Sequence, residues 1–515
     1  MDVRKRKNGN QKEPTSNRKH ENVAFDDDYF TNKDHQLVLS PAARLFHSPK
    51  FCCYVVVRMG TKTRINVETI KAGLMKNFPN HPRFSSRLVN EDKVLGEEKR
   101  WERVTLNIED HIIVPEVDWE MEDADQFVDQ YISNLTTSPL DLSRPLWEVH
   151  IINVKTSDAQ AVAVIRVHHS MGDGASLLSL LLACSRKSSD PDTLPMLPTK
   201  KKQEDGSSSD SSMFWRFLLT IWSAITLMRN TLVDVLIFLA TALVLKDTNT
   251  PMRGPPGVEF NTKRFVHRTV SLDHIKQVKN ALNMTINDVI LGVTQAGFSR
   301  YLNRRYGEYQ KDEGALQKGH NNLPKGIRLR ANILMNLRPA VGIQDLADMM
   351  AKNSKNKWGN KIGNVLLPFT IALQDDPLEY VRGAKSLIDR KKHSLEAFFT
   401  YLCANILVNL FGAQVAGAVA HKILCNSTLS FSSLMGPVEE ITYYDHEVEY
   451  IASNVYGHPQ AAHLHFQSYA DKMTICISAD PDVYPDPEQL LDDLADSLKL
   501  IRDAVVDKGL TIAKK

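Results

Sequence analysis

Cysteine is scarce in this 515-residue chain, and its six copies (Cys52, Cys53, Cys184, Cys403, Cys425 and Cys476) show no paired spacing beyond one vicinal couple. That pattern excludes a disulfide-built secreted scaffold, and with no signal peptide at the start the expectation is a reduced, cytosol-facing chain. An excess of charge is also missing, since 63 basic residues stand against 61 acidic ones, which excludes a globally basic nucleic-acid binder. The GxSxG nucleophile elbow, the GxxxxGKS/T phosphate loop and a GxGxxG turn before a helix are all absent, so serine-hydrolase, nucleotidase and dehydrogenase machinery is not expected. HExxH and CxxC spacings are lacking near the histidines as well, and no metal is expected.

What the chain does carry is concentrated between Ala161 and Ser185, AVAVIRVHHSMGDGASLLSLLLACS. The first seven residues are apolar except for Arg166 and rich in β-branched side chains, the pattern of a strand buried on both faces. The run ends in His168 and His169; a short polar loop with Asp173 and Gly174 follows, then a leucine-rich helical segment. Neighbours on an extended chain point to opposite faces, so one histidine can face a cleft while the other supports it. A single histidine at a strand end is usually structural, whereas two followed by Gly-Asp-Gly point to chemistry. Imidazole titrates near pH ~6.5 before its surroundings act on it, which suits a partly dry one to general-base work. Gly172 and Gly174 permit close backbone approach, as turn geometry alone would also require.

His168 to Gly174 (HHSMGDG) match HHxxxDG, and the chain there resembles the CoA-dependent acyltransferase superfamily. Further blocks resemble the bifunctional wax ester synthase/diacylglycerol acyltransferases, the long plant-type members above all. They are Ser40-Pro41 with Arg44-Leu45-Phe46, His81-Pro82-Arg83-Phe84, PLDLSRPLWE at 139–148, Thr285-Ile286-Asn287-Asp288-Val289, Asn336-Leu337-Arg338-Pro339, FSSLMGP at 431–437, and Ser468-Tyr469 through Asp480. The resemblance runs from about Leu37 to the C-terminus. It implies an α/β fold of two chloramphenicol-acetyltransferase-like halves with a central tunnel, and one active centre, since the second half has no HHxxxDG. It further implies transfer of a long-chain acyl group from acyl-CoA, a substrate rather than a bound cofactor, to a fatty alcohol or diacylglycerol, with wax ester synthesis the principal activity. His169 would be the general base and His168 its support. Asp173 would hold the loop through an arginine, with Arg83, Arg87 and Arg338 as candidates, and Asn287 would face the tunnel as an oxyanion donor. Helix capping alone would explain Thr285 or Asn287, and a turn ion pair would explain Asp141 and Arg144. A catalytically silent lipid-binding or scaffolding protein at the endoplasmic reticulum is the alternative.

Domain limits follow composition. Residues 1–36 read as a disordered basic tail with Arg4-Lys5-Arg6-Lys7, and 37–199 as the N-terminal half with strands at Tyr54–Val57, Trp101–Leu106 and Glu148–Val154. Residues 200–256 read as a linker, flexible from Lys200 to Ser212, that carries a hydrophobic helix at 214–245; 257–515 form the second half. The 214–245 stretch is long enough for a membrane span but contains Arg229 and Asp234, each costing ~2.5–3.5 kcal/mol at a span's centre. Spanning, interfacial and buried interdomain placements all stay open, the first two bringing the enzyme to membrane lipid. Leu395 to Leu424 has no charged residue from Ala397 to Ala420 and reads as a buried helical segment that lines the acyl tunnel or touches the bilayer. The expected location is the endoplasmic reticulum membrane, with the plasma membrane as a second site, the catalytic loop facing the cytosol.

Overall fold

β-branched runs of the sequence become the central strands of two sheets in the computed structural model, which describes residues 36–93, 96–198, 213–310, 320–338 and 358–510. The basic tail before residue 36 and the Lys200–Ser212 part of the linker lie outside the described residues. A small sheet near the start contains β1 (Gln36–Val38), β3 (Ser86–Lys93) and β4 (Gly96–Arg103). The larger first sheet has the order β5–β6–β7–β2–β14–β13–β8. Its members are β2 (Tyr54–Thr61), β5 (Ile112–Ile113), β6 (Trp147–Ile152), β7 (Ala161–His168), β8 (Ser185–Lys187), β13 (Ile441–Tyr443) and β14 (His446–Tyr456). The second large sheet runs β11–β10–β12–β15–β16–β9, from β9 (Arg264–Ser271), β10 (Leu329–Asn336), β11 (Ile362–Phe369), β12 (Leu429–Met435), β15 (Ala462–Tyr469) and β16 (Lys472–Ala479).

The chain does not divide cleanly between the sheets. β13 and β14 come from the C-terminal portion yet complete the first sheet, and β14 lies antiparallel to β2 with Tyr456 opposite Tyr54. β2 in turn pairs antiparallel with β7, placing Tyr54 opposite His168. His168, Tyr54 and Tyr456 thus form one row across three neighbouring strands. The charge of Arg166 inside β7 is accommodated by the same row. Its Nε donates to the Tyr456 hydroxyl at 2.8 Å, the guanidinium lies 5.0 Å over the Tyr54 ring, and Glu148 is 3.5 Å away. Paired this way, a buried charge is tolerated.

Helices cover the sheets: α1 (Pro41–Leu45), α2 (Val67–Asn77), α3 (Ala124–Leu135) and α4 (Gly174–Ala183) belong to the first half. α5 (Met213–Leu243) follows the linker, and α6 (Leu272–Ala281), α7 (Ile286–Gln310), α8 (Leu378–Lys392), α9 (Glu396–Cys425) and α10 (Pro487–Asp507) belong to the second. One hydrophobic core forms around Trp101 and Trp147 and another around Phe298 and Leu494. In the PLDLSRPLWE block the Trp147 indole is buried, stacks on His111 at 4.1 Å and donates to the Phe84 carbonyl. Asp141 and Arg144 lie 3.7 Å apart. The block therefore works as packing.

By length and composition α5, over Phe214–Leu243, and α9 could each cross a membrane. Neither is enclosed by protein. Asp234 of α5 is fully buried against Arg390 (2.9 Å) and Lys391 (3.0 Å) of α8, while Trp215, Trp222, Met228 and Leu236 stand exposed. α9, expected to be buried, is so on one face only: Val408 and Ala416 are covered, whereas Phe398, Leu402, Leu410 and Phe411 are bare. Its backbone breaks at Gly412, where φ is 81°, a left-handed conformation that favours glycine. Each half of the broken helix falls short of the ~20 residues a span requires.

Candidate active site

At the end of β7 the two histidines separate as alternation on a strand demands. His169 enters the wall of a cavity of about 400 Å³, together with Asp173 and Gly174; His168 packs behind it. The cavity is mostly apolar, a character common to small-molecule sites. Residues of both halves line it, among them Phe46, Leu178, Phe238, Tyr401, Phe431 and Val455. α9 supplies much of one side, so the same helix faces the cavity inward and shows bare leucine and phenylalanine outward.

His169 is clamped on several sides. Its ring stacks on Phe46 with centroids 4.4 Å apart, its backbone N–H donates to the Cys53 carbonyl at 2.9 Å, and its backbone carbonyl accepts from Asn360 Nδ2 at 3.0 Å. Burial holds the imidazole below the ordinary histidine range, opposed by its own backbone carbonyl and by the Asp173 carboxylate. It is thus neutral near pH 7, as a proton acceptor must be. His168 stacks on His47 at 4.2 Å. Ser170 Oγ bridges the two rings, 2.7 Å from His168 Nδ1 and 2.9 Å from His47 Nε2. Burial pushes the His168 imidazole well down, and takes His47 to about 3. Both stay neutral.

Of the three arginines considered for Asp173, Arg338 is its partner. Two parallel contacts join them, Nη2 to Oδ2 at 2.7 Å and Nη1 to Oδ1 at 3.2 Å. Arg83 lies over the Trp101 ring and Arg87 pairs with Glu102. Asp173 also caps α4, accepting the Ser176 N–H at 3.0 Å, and its own N–H donates to the Gly359 carbonyl. Trp358 completes the clasp by donating from Nε1 to the Met171 carbonyl at 2.6 Å. A Cβ on Gly172 would meet that indole at 3.1 Å, so the close approach expected of this glycine is real; at Gly174 the nearest atom is 3.8 Å away.

Asn287 departs from expectation. It is exposed in the first turn of α7 and does not line the cavity. Thr285 and Asp288 instead form a reciprocal cap, Thr285 N–H donating to Asp288 Oδ2 at 2.7 Å and Asp288 N–H to Thr285 Oγ1 at 3.2 Å. That cap turns Asp288 inward, and the ~100° helical step leaves Asn287 outside. Sequence reasoning also passed over the clasp at 358–360 and three cavity histidines, His458, His463 and His465. The available signal for the latter was their density, three within eight residues. Among the described residues no group of three or more His, Cys, Asp or Glu could hold a metal ion.

Residues 40–290 match the wax ester synthase/diacylglycerol acyltransferase catalytic domain and residues 358–502 the WS/DGAT C-terminal domain. Wax ester synthase/diacylglycerol acyltransferase 5 of Arabidopsis thaliana is 51% identical, with 92% of this chain and 94% of that protein covered. Wax ester synthase/diacylglycerol acyltransferase 11 of the same plant is 50% identical, covering 92% and 96%. Among solved structures, the wax ester synthase/diacylglycerol acyltransferase from Marinobacter aquaeolei VT8 superposes with a TM-score of 0.56 at 17% identity, covering 91% of this chain and 100% of its own. The trichothecene 15-O-acetyltransferase from Fusarium sporotrichioides gives 0.54 at 13%, covering 91% and 95%. At such identities these two likenesses concern the fold.

Proposed function

The chain belongs to the wax ester synthase/diacylglycerol acyltransferase family, and on that premise we infer that its cavity passes a long-chain fatty acyl group from acyl-CoA to a hydroxyl of a fatty alcohol or of diacylglycerol. The observation that carries this reading is a neutral, ring-stacked His169 in the wall of an apolar cavity. An aliphatic hydroxyl is too weak an acid to ionise first, so His169 takes its proton as the oxygen attacks the thioester carbonyl. Asp173 stays engaged with Arg338 and holds the loop, and His168, tied to His47 by Ser170 Oγ, packs behind the base. An intact base, its clasp and an apolar cavity favour catalysis over a silent lipid-binding role.

The enzyme works at a membrane surface, α5 and α9 lying in the interface rather than across it. Two features support this: the broken α9 and the inward pairing of Asp234. Because α9 divides the cavity from the bare apolar face, a lipid acceptor reaches His169 from the bilayer side. The membrane is that of the endoplasmic reticulum, with the loop on its cytosolic side, and wax esters are the principal product.

The test is an assay of membranes carrying the full chain with labelled acyl-CoA, hexadecanol and diacylglycerol being offered in parallel. Hexadecyl ester in excess over triacylglycerol is the expected result. Triacylglycerol in excess would reverse the preference, and labelled ester from neither acceptor would overturn the reading.

A further inference from the structure

His458, His463 and His465 line the same cavity as His169, are all buried, and take no part in the steps above. The sheet brings them there. His168, Tyr54 and Tyr456 are mutual partners on β7, β2 and β14, so the next residues along, His169, Cys53 and Gly457, leave the sheet at one end. Gly457 is at φ 90°, and a Cβ there would lie 2.0 Å from the Cys52 carbonyl oxygen, so only glycine lets the chain turn this tightly against β2. Two strand spacings of ~4.8 Å separate the His169 backbone from that turn. Side chains from both places line the cavity, and His169 disfavours protonation of His458.

The three rings differ in how their nitrogens are used. Ser432 Oγ sits 2.8 Å from His463 Nε2 and 2.5 Å from His465 Nδ1, and His465 Nε2 lies 3.4 Å from Gln467 Oε1. His458 is 6% exposed, its ring edge-on to His463 at 5.5 Å; neither of its nitrogens makes a hydrogen bond of good geometry, although its own carbonyl and that of Gln460 lie near enough to favour its charged form. Burial takes it to about 3, so it is a neutral imidazole with one N–H to donate. A buried polar group without a well-formed hydrogen bond calls for a physical reason, and a catalytic duty is one such reason.

We propose that His458 is a second catalytic residue, whose N–H receives the oxyanion formed on the thioester carbonyl, the duty that sequence reasoning gave to Asn287. The assignment rests on the acyl-transfer reading above. As the acceptor oxygen bonds to the carbonyl carbon its proton passes to His169, and the carbonyl π pair moves onto oxygen, where His458 donates. When that pair returns, the C–S bond breaks, the ester is released, and the CoA thiolate takes the proton back from His169. Hydrogen-bond donors tighten onto an oxyanion more than onto the ground-state carbonyl, so His458 acts on the rate rather than on binding.

The experiment compares wild type, His458→Leu, His458→Gln and His169→Ala as full-length chains in membranes, with labelled palmitoyl-CoA and with hexadecanol and diacylglycerol offered in parallel, reading kcat, KM and the temperature of thermal inactivation. His458→Leu should lower kcat about 10²–10³-fold with KM nearly unchanged. It should leave the inactivation temperature nearly unchanged, because no well-formed protein hydrogen bond is lost, and His458→Gln should recover part of the rate through its amide N–H. A kcat for His458→Leu within about threefold of wild type would overturn the assignment. So would a loss confined to KM, or one that tracks a fall in inactivation temperature. An active wild type, a dead His169→Ala and an unimpaired His458→Leu would remove His458 alone; ester from neither acceptor would remove the acyl-transfer reading with it.

Discussion

The Phe46 ring lies flat against that of His169, with 4.4 Å between centroids and 14° between planes. The next residue does the same for the supporting histidine, His47 meeting His168 at 4.2 Å and 15°. One short segment after α1 thus presses an aromatic ring on each histidine of the motif. Phe46→Leu keeps the site apolar but removes the flat support. A base free to tilt loses the aligned geometry on which proton transfer depends, so kcat should fall about tenfold or more while KM for acyl-CoA changes little. Steady-state kinetics on membranes with hexadecanol check this.

Arg338 and Asp173 come from different halves of the chain and meet with two parallel hydrogen bonds. Arg338→Ala leaves a buried carboxylate without its charge partner, a change that costs ~3–5 kcal/mol. A clear fall in the temperature of thermal inactivation is expected together with loss of transfer. Arg338→Lys keeps the charge but cannot reproduce the planar fork; its inactivation temperature should lie between wild type and Arg338→Ala.

Acid should weaken the protein before it stops the chemistry of correctly folded molecules. Burial takes His47, His81 and His458 to about 3 and His465 to about 4, all from an unfolded value near 6.5. Below pH 6.5 the unfolded chain binds protons that the folded one refuses, so this contribution to stability is complete above pH 6.5 and is lost as pH falls from 6.5 toward 3. Inactivation temperature should drop between pH 7 and pH 5 and stay level from these groups between pH 7 and pH 8. His169, also lowered, places the acid limb of the transfer rate below pH 6.5, which a pH–rate profile on short exposures checks.

The outward face of α9 is bare at Phe398, Leu410 and Phe411. Each such side chain contributes ~1.5–3 kcal/mol when it leaves water. Leu410→Asp with Phe411→Asp should cut sedimentation with phospholipid vesicles at least ~tenfold, while transfer to a water-soluble short-chain alcohol persists.

Much of this was legible in the sequence because the informative elements are periodic or blocked. The β-branched run at 161–167 became β7, and the stretches expected as strands at Tyr54–Val57 and Glu148–Val154 became β2 and β6. What escaped depends on distant parts of the chain meeting. β14 joins the first sheet from nearly 400 residues beyond β2, and the fold selects Arg338 over Arg83 and Arg87 as the partner of Asp173; local pattern carries no trace of the first and does not decide the second. Asn287 shows the reverse error, since a block shared with a family was read as facing the site when its local duty is a helix cap. The 395–424 stretch, expected as a buried helix lining the acyl tunnel or touching the bilayer, lines the cavity with one face and is bare on the other, because composition reports apolarity and not which side is covered.

The central claim is that His169 removes the acceptor's proton. Labelled ester formation, measured in membranes holding equal amounts of wild-type and His169→Ala protein at saturating acyl-CoA and hexadecanol, tests it most directly. A rate lower by about 10²–10⁴-fold in the variant, with an unchanged inactivation temperature, is the expected result. A variant that forms ester within a few-fold of wild type would contradict it.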